Sequence, residues 1–262
     1  MAIVTFLSDF GLSDQYVAAV KAKILGVNPN ITIVDITHQI STCDISHAAY
    51  TLQSVFREFP KGTVHIVAVS PSGIHSKKYI AIKLEDHFFV GEDSGLFGII
   101  SKQAPIAMVD INKLSPIEST FDAKDILAPV AAKLASGGNI YEMGVELENI
   151  TGFTPTIAKI EKPQIAGNIV HIDHFGNLIT NIFKDEFQHI HKINKECPFE
   201  ISFRKEKFTS FHQKVGEVGE GECFAFFNSD NRLEIGINQG NGSQLLGLRI
   251  NNQVFINFKL EE

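Results

Sequence analysis

Short β-rich runs alternate with segments of helical period over residues 2–69, and that alternation constrains the fold more than any other feature of the chain. "AIVTFL" (2–7) reads as a strand, and "SDQYVAAVKAKILGVN" (13–28) sets Tyr16, Val17, Val20, Ile24 and Leu25 on one helical stripe with Ser13 as N-cap. "ITIVDI" (31–36) is again a strand, "DISHAAYTLQSVFREF" (44–59) a helix, and "TVHIVAV" (63–69) a strand apolar on both faces. Such an order requires parallel pairing through right-handed crossovers. "YIAIKL" and "HFFVG" (79–84 and 87–91), split by Glu85 and Asp86, predict a hairpin added to that sheet. "IAMVDI" (106–111) predicts another strand, and "STFDAKDILAP" (119–129) leads into a helix ending at Ser136, Gly137 and Gly138.

After about residue 160 the rhythm changes to "QIAGNIVHID", "NLITNIF", "FEISFR", "GECFAFFNS", "RLEIGIN" and "QVFINFKL", strand-like runs between Gly, Asn and Asp turns, with one short helix near 184–192. The expectation is an α/β domain at 1–160, its mostly parallel sheet flanked by helices, and a small all-β, barrel-like domain at 161–262.

At 262 residues, with 44% hydrophobic and 20% charged, the chain is of ordinary globular composition and long enough for two cores. A net charge of −7 argues against nucleic acid or an anionic membrane as partner, since each needs a basic face. A small-molecule ligand fits better. Cys43, Cys197 and Cys223 are far apart and odd in number, suggesting neither zinc nor a disulfide framework, and a reducing compartment. "MAIVTFLSDFG" is too short an apolar run for a signal peptide and lacks a basic flank, and no later run is long enough to span a bilayer. A cytoplasmic protein is expected.

In an open parallel sheet, ligands bind beyond the carboxyl ends of the strands. That rule selects Asp9 and Asp14 after the first strand, His38 after the second, and Ser70, Ser72, His75, Lys77 and Lys78 after the third. Asp14 reads either as a first-turn carboxylate favoured by the helix dipole or as a ligand contact. His38 reads either as a polar turn residue or half-buried histidine, or as part of the site. "SPSGIHSKK" (70–78) offers small residues before lysines but lacks the spacing of a phosphate loop. "HIDHFGN" (171–177) could suggest a metal, yet on a strand His171 and Asp173 share a face while His174 turns away, leaving too few ligands.

"FLSDFGLSD", "NPNITIVDITHQI", "EFPKGTVHIVAV", "FFVGEDSGL", "TFDAKDILAPVAAKLASG", "IDHFGNLITNI" and "NSDNRLEIGIN", collinear along nearly the whole chain, resemble the S-adenosyl-L-methionine hydroxide adenosyltransferase family, relatives of the fluorinating and chlorinating enzymes. The resemblance implies a larger α/β domain with a small β-barrel domain, assembled as a homotrimer with sites between subunits. It implies displacement at the ribose C5′ of S-adenosylmethionine by water or hydroxide, giving adenosine and L-methionine, with no further cofactor. By position, Asp9 would bind the ribose hydroxyls, Asp14 and Asp173 would lie near the methionine ammonium, and Asn177 would read the adenine edge. Phe175 and Phe211 would pack the adenine, Ser229 would hold the amino-acid end, and Phe121 would border the substrate.

The family's hydrolases carry Asp-Pro-Gly-Val-Gly after the third strand, an arginine seven residues beyond that aspartate, and a later Thr-Phe-His-Gly-Arg-Asp. Ser70, Lys77 and Asp122 stand at those Asp, Arg and His positions here. Ser70 accepts no proton at neutral pH, and Lys77 keeps the charge without the planar grip of arginine. Asp122 either caps the helix start through backbone N–H groups, or acts as general base on a neutral water with Lys77 as counter-ion. Three activities remain open: a hydrolase with a rearranged site, a binding protein that has lost the chemistry, and a metal-assisted hydrolase using His171, Asp173 and His174.

Overall fold

The structure is a computed structural model that describes residues 2–70, 78–112, 119–152, 154 and 156–260. Ser72, His75 and Lys77 therefore lie outside the described residues. The chain divides into two compact units, Met1–Thr154 and Pro155–Glu262.

The first unit opens β1 (Ile3–Ser8), α1 (Tyr16–Val27), β2 (Thr32–Thr37), α2 (Ile45–Val55), β3 (Val64–Ala68). It continues β4 (Tyr79–Leu84), β5 (His87–Glu92), β6 (Ala107–Asp110), a π-helical turn (Ala123–Leu127), α3 (Ala128–Ala135) and β7 (Val145–Glu146). The sheet order is β2-β1-β3-β5-β4-β6-β7. Side chains alternate across it into two cores. Val4, Phe6, Val64, Ile66, Val20 of α1 and Ala131 of α3 pack on one face. Leu7, Val67, Ile82, Phe89 and Leu52 of α2 pack on the other.

The expectation of a mostly parallel sheet is corrected. β2, β1, β3 and β5 are parallel neighbours, whereas β4 runs antiparallel to β5 and β6, and β7 antiparallel to β6. The reversal originates in the hairpin. Glu85 and Asp86, at φ 49° and 64°, make a two-residue turn whose geometry permits only antiparallel return. A second correction concerns α1: it starts at Tyr16, and its N-cap Gln15 makes no side-chain cap bond, so Ser13 does not cap it. Gly11, at φ 70°, donates its N–H to the His38 carbonyl (2.8 Å) and holds residues 9–15 in a loop that delays the helix. Of the expected stripe, Val20 and Ile24 are buried while Tyr16 and Leu25 stay exposed.

The second unit contains β8 (Lys159–Glu161), β9 (Gln164–Ile172), β10 (Leu178–Phe183), α4 (Lys184–Ile193), β11 (Phe199–Phe203) and β12 (Glu206–Phe208). β13 (Cys223–Phe227), β14 (Arg232–Ile237), α5 (Gly242–Leu246) and β15 (Gln253–Phe258) complete it. Its strands pair antiparallel in the order β12-β11-β15-β9-β10-β14-β13, with β8 on β9. They curve around one core that includes Ile165, Leu178, Ile201, Ala225, Leu233 and Ile256, which makes the sheet nearly barrel-shaped. Among the described residues no helix is long and apolar enough to cross a membrane.

Candidate functional site

From β1 the chain crosses to β2 on one side and then returns to β3 on the other, so β1 is the switch point of the sheet. Ligand crevices in such sheets open at the carboxyl ends of the strands flanking that point. Asp9 leaves the end of β1 there, and Ser70, half-buried, follows β3. The Asp9 carboxylate is already aimed: its Oδ2 accepts the backbone N–H of Cys43 at 3.0 Å. Asp14 is exposed and precedes the N-cap, so the first-turn reading of it does not hold.

The start of β4 and the end of β5 face each other at the same edge, Tyr79 opposite Glu92. The Tyr79 ring is buried, and its hydroxyl donates to Asp122 Oδ2 at 2.5 Å. Asp122 makes no side-chain cap bond to the helix it precedes, so the capping reading is overturned. The neighbouring Asp125 does the local work instead, accepting from Ser119 Oγ at 2.7 Å. Burial, the Asp122 hydrogen bond and the charges of Asp122 and Glu92 keep the Tyr79 phenol protonated far above its usual range. Glu92 Oε2 is buried with no hydrogen-bond partner among the described residues. Phe121 packs edge-on against Phe10 (5.6 Å between centroids) and Tyr16 (5.3 Å), which sets the Asp122 segment beside the Asp9 segment.

A separate cleft of this unit lies elsewhere. It is an open depression of about 680 Å³ between the carboxyl ends of α1 and α3, lined by Asn28, Lys133, Ser136 and Glu142 among others. Helix carboxyl termini and a single lysine give it none of the paired groups gathered at the strand ends.

In the second unit, Asp173 and Asn177 share one tight turn. Asn177 donates its backbone N–H to Asp173 Oδ1 (2.8 Å) and its amide to Asp173 Oδ2 (3.2 Å) and Glu234 Oε1 (3.1 Å). Both acceptors are carboxylates, which requires the nitrogen to face them and leaves Oδ1 as its acceptor. That oxygen lies where a Cβ on Gly236 would come within 2.3 Å, so the missing side chain makes room for it. Burial and the nearby Asp173 charge push the Glu234 carboxyl above its usual range, against the bonds from Asn228 and Asn177. Phe175, on the same turn, is 72% exposed, an unusual position for so large an apolar ring. Ser229 is exposed in the β13–β14 turn. Phe211 is apart from these, half-buried among Phe187, Phe199 and Phe227 at 4.7–5.2 Å. No three His, Cys, Asp or Glu side chains among the described residues converge to hold a metal ion.

Models of the SAM hydroxide adenosyltransferase N-terminal and C-terminal domains match residues 4–144 and 167–255. The chain belongs to the SAM hydroxide adenosyltransferase family. Within that family's range, it is 30% identical to a Thermus thermophilus protein named (R)-S-adenosyl-L-methionine hydrolase, over 95% of this chain and 97% of the relative. A Methanocaldococcus jannaschii protein of the same name is 31% identical, over 94% and 92%. An Actinoplanes protein named fluorinase is 26% identical over 71% and 73%. A crystal structure of a conserved protein from Thermotoga maritima superposes with a TM-score of 0.87 at 29% identity, covering 97% of this chain and 99% of that one.

Sequence reasoning missed Tyr79, Glu92, Glu234 and the Cys43 backbone donor. Tyr79 reads as an ordinary residue of the hairpin and Glu92 falls one position beyond its expected second strand, and only the register that sets them opposite each other reveals the cluster.

Proposed function

We propose that this SAM hydroxide adenosyltransferase family member hydrolyses S-adenosyl-L-methionine to adenosine and L-methionine. Water oxygen bonds to the ribose C5′, the C5′–S bond breaks, methionine leaves as a neutral thioether, and the water proton passes to a carboxylate. The end-to-end similarity to two proteins named (R)-S-adenosyl-L-methionine hydrolase carries this reading. The acidic edge around Asp122 and Glu92 supports it, because carboxylates attract a sulfonium cation and repel an anionic nucleophile, leaving neutral water to attack.

In this reading Asp122, oriented by Tyr79, receives the proton, with Lys77 as counter-ion and Ser70 bordering the water. Asp9 accepts from the ribose hydroxyls. Asp14 and Asp173 meet the methionine ammonium, and Ser229 its amino-acid end. Asn177 Oδ1 accepts from the adenine amine, Phe175 and Phe211 pack the base, and Phe121 closes the ribose side. S-adenosylmethionine serves as substrate with no other cofactor, in a cytoplasmic homotrimer.

A second reading, a binding protein without turnover, is favoured by one feature of the sequence: a serine, Ser70, occupies the position where the family resemblance implies an aspartate. Chromatography of adenosine and methionine from purified protein with S-adenosylmethionine, alongside calorimetry, separates the two. Asp122→Ala is expected to lower turnover by about 10²-fold or more with little change in affinity, and Asp9→Ala to weaken binding. Binding without product supports the second reading; neither binding nor product removes both.

A further inference from the structure

Ser8, His38 and Asp35 form a line of side chains that ends beneath Asp9. Ser8 Oγ lies 2.8 Å from His38 Nδ1, and His38 Nε2 lies 3.1 Å from Asp35 Oδ1. Lys21 Nζ donates to the other Asp35 oxygen at 2.5 Å. Partial burial opposes ionisation of Asp35, but the Lys21 ammonium and the nearby His38 ring hold its carboxyl below its usual range; the approach of Nε2 to Asp35 is an electrostatic contact whose angle does not make a hydrogen bond. A carboxylate beside Nε2 keeps a proton on that nitrogen, which leaves Nδ1 to accept the Ser8 hydroxyl.

The trio resembles a nucleophilic triad in composition only. Ser8 is fully buried and His38 is 2% exposed, so no substrate reaches the hydroxyl. What the line does reach is the Asp9 loop. The His38 carbonyl accepts the Gly11 N–H at 2.8 Å, Ser8 Oγ accepts the Phe10 N–H at 3.4 Å, and the His38 ring packs edge-on against Phe6 at 4.7 Å. The loop after β2 thus grips the loop after β1 on both sides of Asp9, and the same loop supplies the Cys43 N–H to its carboxylate.

We propose that His38 is a positioning residue for Asp9, fixing the carboxylate that binds the ligand's vicinal hydroxyls through the Ser8 hydrogen bond. The inference rests on the proposed S-adenosylmethionine site. Residues that orient a ligand-binding group without touching the ligand change affinity through geometry.

The test exploits the two ring nitrogens. An asparagine amide occupies the place of Nδ1 and keeps the Ser8 partner; a glutamine amide occupies that of Nε2 and keeps only Asp35. Calorimetry with S-adenosylmethionine and with adenosine is run on wild type, His38→Asn and His38→Gln, with steady-state kinetics and thermal melts on the same samples. The expected result is that His38→Asn binds within about threefold of wild type, while His38→Gln loses about tenfold or more in Kd and KM, at a kcat within about threefold. Equal affinities in the two variants, or losses that follow the melting temperature alone, overturn the inference while the site stands. A wild type that binds neither compound overturns the site and the inference together.

Discussion

The hydroxyl of Tyr79 and the carboxylate of Asp122 meet at the carboxyl edge of the sheet, and the orientation of Asp122 depends on that bond. Tyr79→Phe keeps the ring in its core and removes only the donor. Denaturant unfolding is expected to show a loss of about 1 kcal/mol, and adenosine release a fall of about tenfold; unchanged turnover would mean that Asp122 acts without this support. Glu92 predicts the opposite sign. Its carboxylate lies with that of Asp122 beside Tyr79 and has one buried oxygen without a partner among the described residues, so Glu92→Gln, which removes one of the two neighbouring negative charges, should raise the unfolding free energy by about 1 kcal/mol, and a drop in the melting temperature would show that the charge is compensated. At this scale the sequence was half legible. Asp9 stood out because it follows the first strand at the ligand-binding edge, and Asp122 because it stands where the family resemblance implies a histidine. "FDAKD" could not say which aspartate serves the helix, since the answer lies in Ser119 and in a tyrosine forty-three residues away.

Between elements, a second line of polar groups crosses the sheet under α2. Thr5 of β1 bonds His65 of β3 (2.7 Å), and His65 Nε2 lies 3.1 Å from His87 Nδ1 of β5, with the Phe89 ring stacked at 4.9 Å. Burial, with the neighbouring His87, pushes the His65 imidazole down to about 3. The unfolded chain therefore takes up a proton that the fold refuses, so this contribution is fully present above about pH 6.5 and is lost as pH falls toward 3. Urea melts should show about 2 kcal/mol less stability at pH 5 than at pH 7 from this site, and His65→Gln should flatten that slope; an equal slope in the variant would place the acid sensitivity elsewhere. Strands and the hairpin were legible because period and turn residues agree over six-residue runs. Sheet direction was not, because a hairpin of two ordinary strands sets β4 against its neighbours β5 and β6 without altering either strand's pattern. Helix starts failed where a loop had other duties: Gly11 answers to His38 before α1 can begin.

For the whole molecule, each unit encloses its own apolar core, two on the faces of the mixed sheet and one inside the curved sheet. Residues 155–262 expressed alone should show a cooperative thermal transition and dispersed amide resonances, whereas a featureless spectrum would make that core dependent on the rest of the chain. The change from helical to alternating rhythm near residue 160 made two architectures readable. The order of strands within each was not, since it is chosen by packing at long sequence separation. The π turn at Ala123–Leu127, where the Ala128 N–H reaches back to the Ala123 carbonyl, carries a consequence for descent. Such a turn accommodates one extra residue in a helix without disturbing the helical turns beyond it. A lineage that gains or loses a single codon there rotates the residues before it by about a quarter turn or more, yet leaves α3 seated in its core. The chain thereby holds a place where insertion or deletion, rather than point substitution, re-aims position 122.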